Sequence, residues 1–268
     1  MHDRLRLSAG EVTIIMSEPR IVTAAVIVIG NEILSGRTKD SNLNYLATGL
    51  TEIGIRLMEG RFIPDIEDVI VATVNELRSK HDYVFTTGGI GPTHDDITSA
   101  SIAKAFGLKW VLHPRAEKLL LDHYGRESLT EARLRMAHTP EGAELIDNPV
   151  SVAPGIKIGN VYVLAGVPRI CQAMFDGLKA ELKGGDKVLS RTVSGYVGEG
   201  TIAKDLGALQ ERYPMLDVGS YPFFRGGRFG ASFVIRGTEQ AKIDAAAEEL
   251  HGIIRNLGAE PIEGEPAA

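Results

Sequence analysis

Residues 83–98 read Tyr-Val-Phe-Thr-Thr-Gly-Gly-Ile-Gly-Pro-Thr-His-Asp-Asp-Ile-Thr, an apolar run that opens into three glycines and a proline. Glycine lets backbone N–H groups turn toward a ligand without interference from a Cβ. A strand that ends in such a loop and continues into helical spacing has to fold back over a sheet face, as half of a βαβ unit. The chain repeats this grammar. Ile21–Gly30 is a β-branched apolar run that ends in glycine and predicts a buried parallel strand, and Asn31–Gly36 follows as a loop. Asp40-Ser41 predicts the N-cap of a helix carrying Leu43, Leu46, Ala47 and Leu50, ended by Gly54. Ile55–Ile63 predicts a second strand, broken by Pro64, and Ile66, Val69, Ile70, Thr73, Val74 and Leu77 the stripe of a second helix. Tyr83–Thr87 is then a third strand, with a helix from near Asp96 to Gly107.

Residues 114–138 predict helix, strands follow around Ala143–Ile146 and Asn160–Ala165, and the helix Arg169–Leu182 has Pro168 at its first turn. Beyond Gly184-Gly185 the order becomes strand (187–196), helix (199–213), strand (216–221), strand (229–236), helix (239–257) and a short strand (260–262). That order resembles a ferredoxin-like split βαβ unit. The expected fold is therefore α/β. A three-layer, mostly parallel sheet spans 21–184, and a smaller α+β ferredoxin-like domain spans 185–262. Residues 1–20 are expected to form a flexible extension, with Met16 as an alternative start, and 263–268 a disordered tail.

With 29 Lys+Arg against 35 Asp+Glu the net charge is −6, which predicts no nucleic-acid footprint. The single cysteine, Cys171, excludes an intramolecular disulfide and a Cys-based zinc site, and its place on an amphipathic helix predicts core packing. The seven histidines show no HExxH spacing. No apolar run approaches the ~18 residues of a membrane span, and no signal-peptide pattern opens the chain, so a cytoplasmic protein is expected.

Open parallel sheets bind ligands outside the carboxyl ends of their strands. Three loops leave strands in that direction: 30–36, 87–96 and 166–168. Their convergence makes Gly30, Asn31, Glu32, Gly36, Thr87, Gly88, Gly89, Gly91, Pro92, Thr93, Gly166 and Pro168 the expected ligand set. The glycines and helix ends suit a phosphorylated small molecule. Asp95 and Asp96 side by side would repel a phosphate unless a divalent cation, magnesium or cobalt, lay between them. Asp96 is assigned as metal ligand or general base, and Asp95 as the cap of the following helix. Asp40 is either a further carboxylate of the site or the cap of its own helix. His94 is read as an exposed loop residue. Arg133 and Arg135 lie two apart on a helix, hence on different faces; both are read as solvated, with a second reading in which one of them reaches an anion. Tyr221–Gly227 reads as a strand-to-strand loop, with a second reading in which Arg225 and Arg228 form a lid over the main site.

Three stretches together are similar to the molybdopterin-binding (molybdenum cofactor biosynthesis) domain family. They are Gly30–Gly36 with Asp40 and Asn42, Thr86–Thr98, and Ala153-Pro154-Gly155 with Asn160–Leu164 and Gly166-Val167-Pro168. The likeness covers about residues 21–183 and is nearest to the CinA-like branch, which is similar to the N-terminal domain of eukaryotic FAD synthase. Gly198-Glu199-Gly200 and Gly219–Pro222 resemble the segment that follows in CinA-like proteins. The resemblance implies Asp40 and Asp96 as site acids, and Gly88, Gly89, Gly91 and Thr93 as a phosphate cradle. It also implies a homo-oligomer. The implied activity is metal-dependent pyrophosphatase action on ADP-ribose- or FAD-like dinucleotides. A non-catalytic molybdopterin- or nucleotide-binding module and adenylyl transfer to molybdopterin are the alternatives. Two positions depart from the family pattern: Ala165 stands where proline is common, and Ala100 where an acid is common. The deamidase domain of many CinA proteins is not expected here.

Overall fold

The computed structural model describes residues 20–266, so the expected extension (apart from Arg20) and the last two residues lie outside the described residues. The first unit runs β1 (Val22–Ile29), α1 (Asn31–Leu34), α2 (Asn42–Glu52), β2 (Ile55–Ile63), α3 (Glu67–Lys80), β3 (Tyr83–Thr87) and α4 (Thr98–Ala105). It continues with β4 (Trp110–Leu112), α5 (Pro114–Tyr124), α6 (Glu131–Leu134), β5 (His138–Pro140), β6 (Glu144–Ile146), β7 (Gly155–Ile158), β8 (Val161–Leu164) and α7 (Pro168–Leu178). Six strands form one sheet in the order β2-β1-β3-β8-β7-β6. The first four are parallel, and β7 and β6 close the edge antiparallel.

Strand β1 shows why three layers form. Ala24, Val26 and Val28 join a core with Leu46 and Leu50 of α2 and Met174 and Phe175 of α7. The alternate residues Ala25, Ile27 and Ile29 join a core with Ile70, Val74 and Leu77 of α3 and Ile102 of α4. Side chains alternate along a strand, so a continuous apolar run demands a helical layer on each face. Phe85 anchors the first core, edge-on to Phe175 at 5.9 Å and tilted against Tyr162 at 5.2 Å.

The second unit runs β9 (Leu189–Gly195), α8 (Glu199–Arg212), β10 (Asp217–Arg225), β11 (Arg228–Gly237), α9 (Gln240–Asn256) and β12 (Ile262–Glu263). Its sheet order is β10-β11-β9-β12 with every neighbour antiparallel, the arrangement of a ferredoxin-like split βαβ unit. Its core is separate, built from Val193, Phe233, Ile235, Ile202, Leu209 and Leu250 among others.

Several expectations are corrected. The loop after β1 contains the one-turn helix α1. The expected helix over 114–138 stops at Gly125, whose φ of +72° favours glycine, and restarts at Thr130, whose hydroxyl accepts from Arg133 N. Strands β4 and β5 pair as a small separate sheet, and β7 was not anticipated. Residues 221–225 are strand rather than loop. Gly226 and Gly227, with φ of +57° and +76°, form the two-residue turn, and Pro222 is tolerated because β10 is an edge strand. Residues 263–266 are held: Gly264 N donates to Thr192 O, and Ser232 Oγ to Glu265.

The small unit attaches at the amino ends of the parallel strands. Gly185 N donates to Gly54 O and Asp186 N to Arg20 O, each at 3.1 Å. A cleft of about 610 Å³ between the units takes Ile21, Ile55 and Arg56 from one side and Met215, Asp217 and Arg236 from the other. The turn at 226–227 is at the far end of β10 from this junction. The lid reading of Arg225 and Arg228 is corrected: neither lines the cavity at the carboxyl ends of the parallel strands, and they are held at Pro266 and stacked on Tyr196 respectively.

Candidate functional site

The carboxyl ends of β1, β3 and β8 meet without side chains between them. At Gly88, φ is +101° and a Cβ would lie 2.2 Å from Ile29 O; a Cβ on Gly166 would lie 3.1 Å from Gly88 Cα. Gly88 N donates to Leu164 O at 3.2 Å, which ties the glycine loop to β8. Asn42 Nδ2 donates to Gly166 O at 2.8 Å and ties α2 to the third loop. Glycine is required here by close approach of backbones as well as by φ.

Above these ends lies a cavity of about 490 Å³. Of the residues predicted for the site, Glu32, Gly88, Gly89, Gly91, Pro92, Asp96, Gly166 and Pro168 line it together. Gly30, Asn31, Gly36, Asp40, Thr87, Thr93 and Asp95 do not line it. Gly30 lies beneath Glu32, whose Oε1 would be 2.5 Å from a Cβ there. Asn31 N donates to Asp65. Gly36 takes the positive φ of the turn after α1. Thr87 is buried under the loop.

Of the two readings of Asp40 the structure shows the cap, and the two acids of the glycine loop divide their work differently from expectation. Asp40 accepts from Asn42 N at 3.2 Å and Leu43 N at 3.0 Å, so it closes the start of α2. Asp96 Oδ2 accepts from Thr93 N at 2.9 Å and from the Thr93 hydroxyl, which closes the turn that carries the glycines. Neither Asp95 nor Asp96 caps α4, whose N-cap is Ile97. Asp95, expected as that cap, is exposed. Among the described residues, Asp40, Asp95 and Asp96 do not gather as a three-ligand cluster. The carboxylates that do line the cavity, Glu32 and Asp96, are of the donor type a magnesium ion takes, one or two at a time, with water and phosphate oxygens filling its shell.

The rest of the lining was not among the residues expected to hold the ligand. Thr38, Met136, Asn148, Ser151, Ala153 and Ile170 also line the cavity. Asn148 organises its loop: Nδ2 donates to Ser151 Oγ and Ala153 O, each at 2.7 Å, and Oδ1 accepts from Val150 N and Ser151 N at 3.0 Å. Within that loop Val152 has φ of +68°, a strained value for a β-branched residue. The Asn148-Pro149 pair is a turn signal, yet nothing in a turn signal says which cavity the turn borders. At the third side α7 begins with Val167 as an N-cap that makes no side-chain bond and Pro168 in the first turn. Val167, Pro168 and Ile170 line the cavity, so this helix N-terminus opens onto it with its positive end. Cys171, deeper on α7, is core, its thiol pushed to about 12 by burial. No helix among the described residues is long and apolar enough to cross a membrane.

Residues 25–184 match the family described as "Probable molybdopterin binding domain", and residues 187–259 match the middle domain of FAD synthase. A protein of Archaeoglobus fulgidus is 31% identical, over 86% of this chain and 97% of its own length. One of Pyrobaculum calidifontis is 41% identical over 58% of this chain and 62% of its own, so the match spans under two thirds of that relative. Among solved structures, the protein CinA of Thermoplasma acidophilum, described as having unknown function, is 34% identical with a TM-score of 0.57. It covers 60% of this chain and 98% of that one.

Proposed function

The chain belongs to the molybdopterin-binding domain family, in its CinA-like branch, and from that premise we propose that it is a metal-dependent pyrophosphatase of ADP-ribose- or FAD-like dinucleotides. The observation that carries this reading is the make-up of the cavity. Backbone at Gly88, Gly89 and Gly91 and the open N-terminus of α7 border it, and its charged lining residues are the acids Glu32 and Asp96. Backbone amides and a helix N-terminus recognise phosphate, whereas two carboxylates beside a phosphate call for a cation. A divalent ion held by Glu32 and Asp96 would neutralise the diphosphate and polarise it toward attack.

The chain's own groups have separate tasks. The glycine loop and α7 hold phosphate oxygens and stabilise charge that builds up during displacement. Ile90, Met136, Val167 and Ile170 supply apolar surface for a ring and exclude water around it. Asp96 spends Oδ2 on Thr93, and Oδ1, with no protein donor among the described residues, orients the attacking water. Attack on one phosphorus breaks the bridging P–O bond, and ADP-ribose would yield AMP and ribose phosphate. Homo-oligomeric assembly and a cytoplasmic setting belong to the same proposal.

A binding module without turnover is the second reading. It is favoured by the engagement of Asp40 and Asp96 in local hydrogen bonds and by Ala100, a position without a carboxylate. Phosphorus NMR of the full chain with ADP-ribose, FAD and NADH, each with magnesium or cobalt, decides between them. Cleavage by the wild type that is lost in both Asp96→Ala and Asp96→Asn supports the pyrophosphatase. An unchanged spectrum, together with a ligand-induced rise in melting temperature, leaves the binding module.

A further inference from the structure

Behind the glycine loop runs a second crevice, of only about 10 Å³, bordered by Trp110, Arg135 and His138. It shares Gly89, Ile90, Gly91, Asp96 and Met136 with the ligand cavity, so one thin wall separates the two. Arg135 opens a 3-10 turn (Arg135–Ala137) that is fixed by the bond from His113 N to Ala137 O. The same turn places Met136 in the cavity itself.

The two arginines near this turn differ in what they do. Arg133 donates to Ser128 O at 2.6 Å and stacks over Tyr124 at 4.3 Å, so its cation is committed to local structure. Arg135 makes no ion pair among the described residues, whereas Arg61, Arg191, Arg212 and Arg236 are each paired. Its Nε is buried and has no hydrogen-bond partner among the described residues. A buried donor left unpaired is costly, and a guanidinium is built to bind carboxylate or phosphate oxygens in a fork. Among the described residues, the only acids along the two cavities are Glu32 and Asp96, and Arg135 is the one lysine or arginine that borders either.

We propose that Arg135 is the phosphate-binding cation of this site, and that its ligand is a phosphate or diphosphate group lodged against the glycine loop. The proposal rests on the reading of the cavity as a phosphate-ligand site. The crevice is too narrow for a phosphate, so the anion stays in the larger cavity and the flexible arginine side chain turns toward it past Met136.

The test is isothermal titration of the full chain with magnesium pyrophosphate and with magnesium ADP-ribose, in wild type, Arg135→Gln, Arg135→Lys and Arg133→Gln. Arg135→Gln should weaken pyrophosphate binding by roughly tenfold to a hundredfold, the range for a hydrogen bond to a charged group. Arg135→Lys should recover part of the loss, and Arg133→Gln should bind as the wild type does. On the wild type itself, pyrophosphate should protect Arg135 from phenylglyoxal, read by mass spectrometry, which keeps the test valid if a variant misfolds. Wild-type affinity in Arg135→Gln, or no protection of Arg135, overturns the assignment and leaves the cavity reading standing. A wild type that binds neither pyrophosphate nor ADP-ribose overturns both.

Discussion

At Gly88 the backbone φ is +101°, and a Cβ would sit 2.2 Å from the carbonyl oxygen of Ile29, a backbone atom at the end of strand β1. At Gly207, in the middle of α8, a Cβ would meet nothing within 4 Å. The two alanine substitutions should therefore have opposite signs. Gly88→Ala should destabilise by more than about 2 kcal/mol through left-handed strain and a clash that cannot be relieved locally. Gly207→Ala should stabilise by about 0.5–1 kcal/mol by removing backbone freedom from the unfolded chain. Urea denaturation measures both, and equal effects would mean that Ile29 yields to the added methyl. The need for glycine at 88 is legible from the sequence, because a strand that runs into Gly-Gly-Ile-Gly-Pro has few other uses for them. The roles of Asp95 and Asp96 are not legible. Adjacent acids look alike in a sequence, and only the path of the turn decides that Asp96 folds back onto Thr93 while Asp95 stays in solvent.

Strands of five or more residues bounded by a turn signal, a glycine or a proline, could be read almost to their ends, as at Ile55–Ile63 and Tyr83–Thr87. Trp110–Leu112 and His138–Pro140 could not, since three residues are too few to show a period of two. The cavity wall at 148–153 is harder still: its shape comes from the side-chain bonds of one asparagine, and no hydrophobic pattern records them. How elements are clamped together is also a structural fact with a measurable consequence. Arg61 of β2 bridges Glu76 of α3 at 2.7 Å, and that pairing first, with Lys80 adding to it, holds the Glu76 carboxyl at about 2. An acid whose folded pKa is depressed contributes stability above its unfolded value, here 4.5, and loses it as pH falls toward 2. Melting temperature should therefore fall through that window less steeply in Glu76→Gln than in the wild type. Identical slopes would show the bridge to be screened away, as many exposed pairs are.

Across the whole molecule, the two cores share no residue: one pair of clusters covers residues 22–182 and a separate cluster covers 193–254. A Gly-Gly pair at 184–185 marks the change of grammar in the sequence, and by composition alone it reads as a flexible joint. The structure gives these glycines a different purpose. A Cβ on Gly184 would lie 1.7 Å from Ile53 O and one on Gly185 2.1 Å from Arg20 O, so both are there to let the linker lie against backbone. Close docking at the linker, an open cleft beside it and separate cores on either side argue for two folding units. Two cooperative units should follow, and scanning calorimetry should resolve two transitions. Every lining residue of the ligand cavity falls between Glu32 and Ile170, so magnesium pyrophosphate should raise only the transition of the larger unit. At a hundred times its dissociation constant the ligand adds about 2.7 kcal/mol, or roughly 5–10 °C for a unit of this size. The glycine variants assign the peaks: Gly88→Ala should lower the ligand-sensitive one, and Gly207→Ala should raise the other. A single transition moved by both substitutions would show instead that the linker contacts couple the two cores into one folding unit.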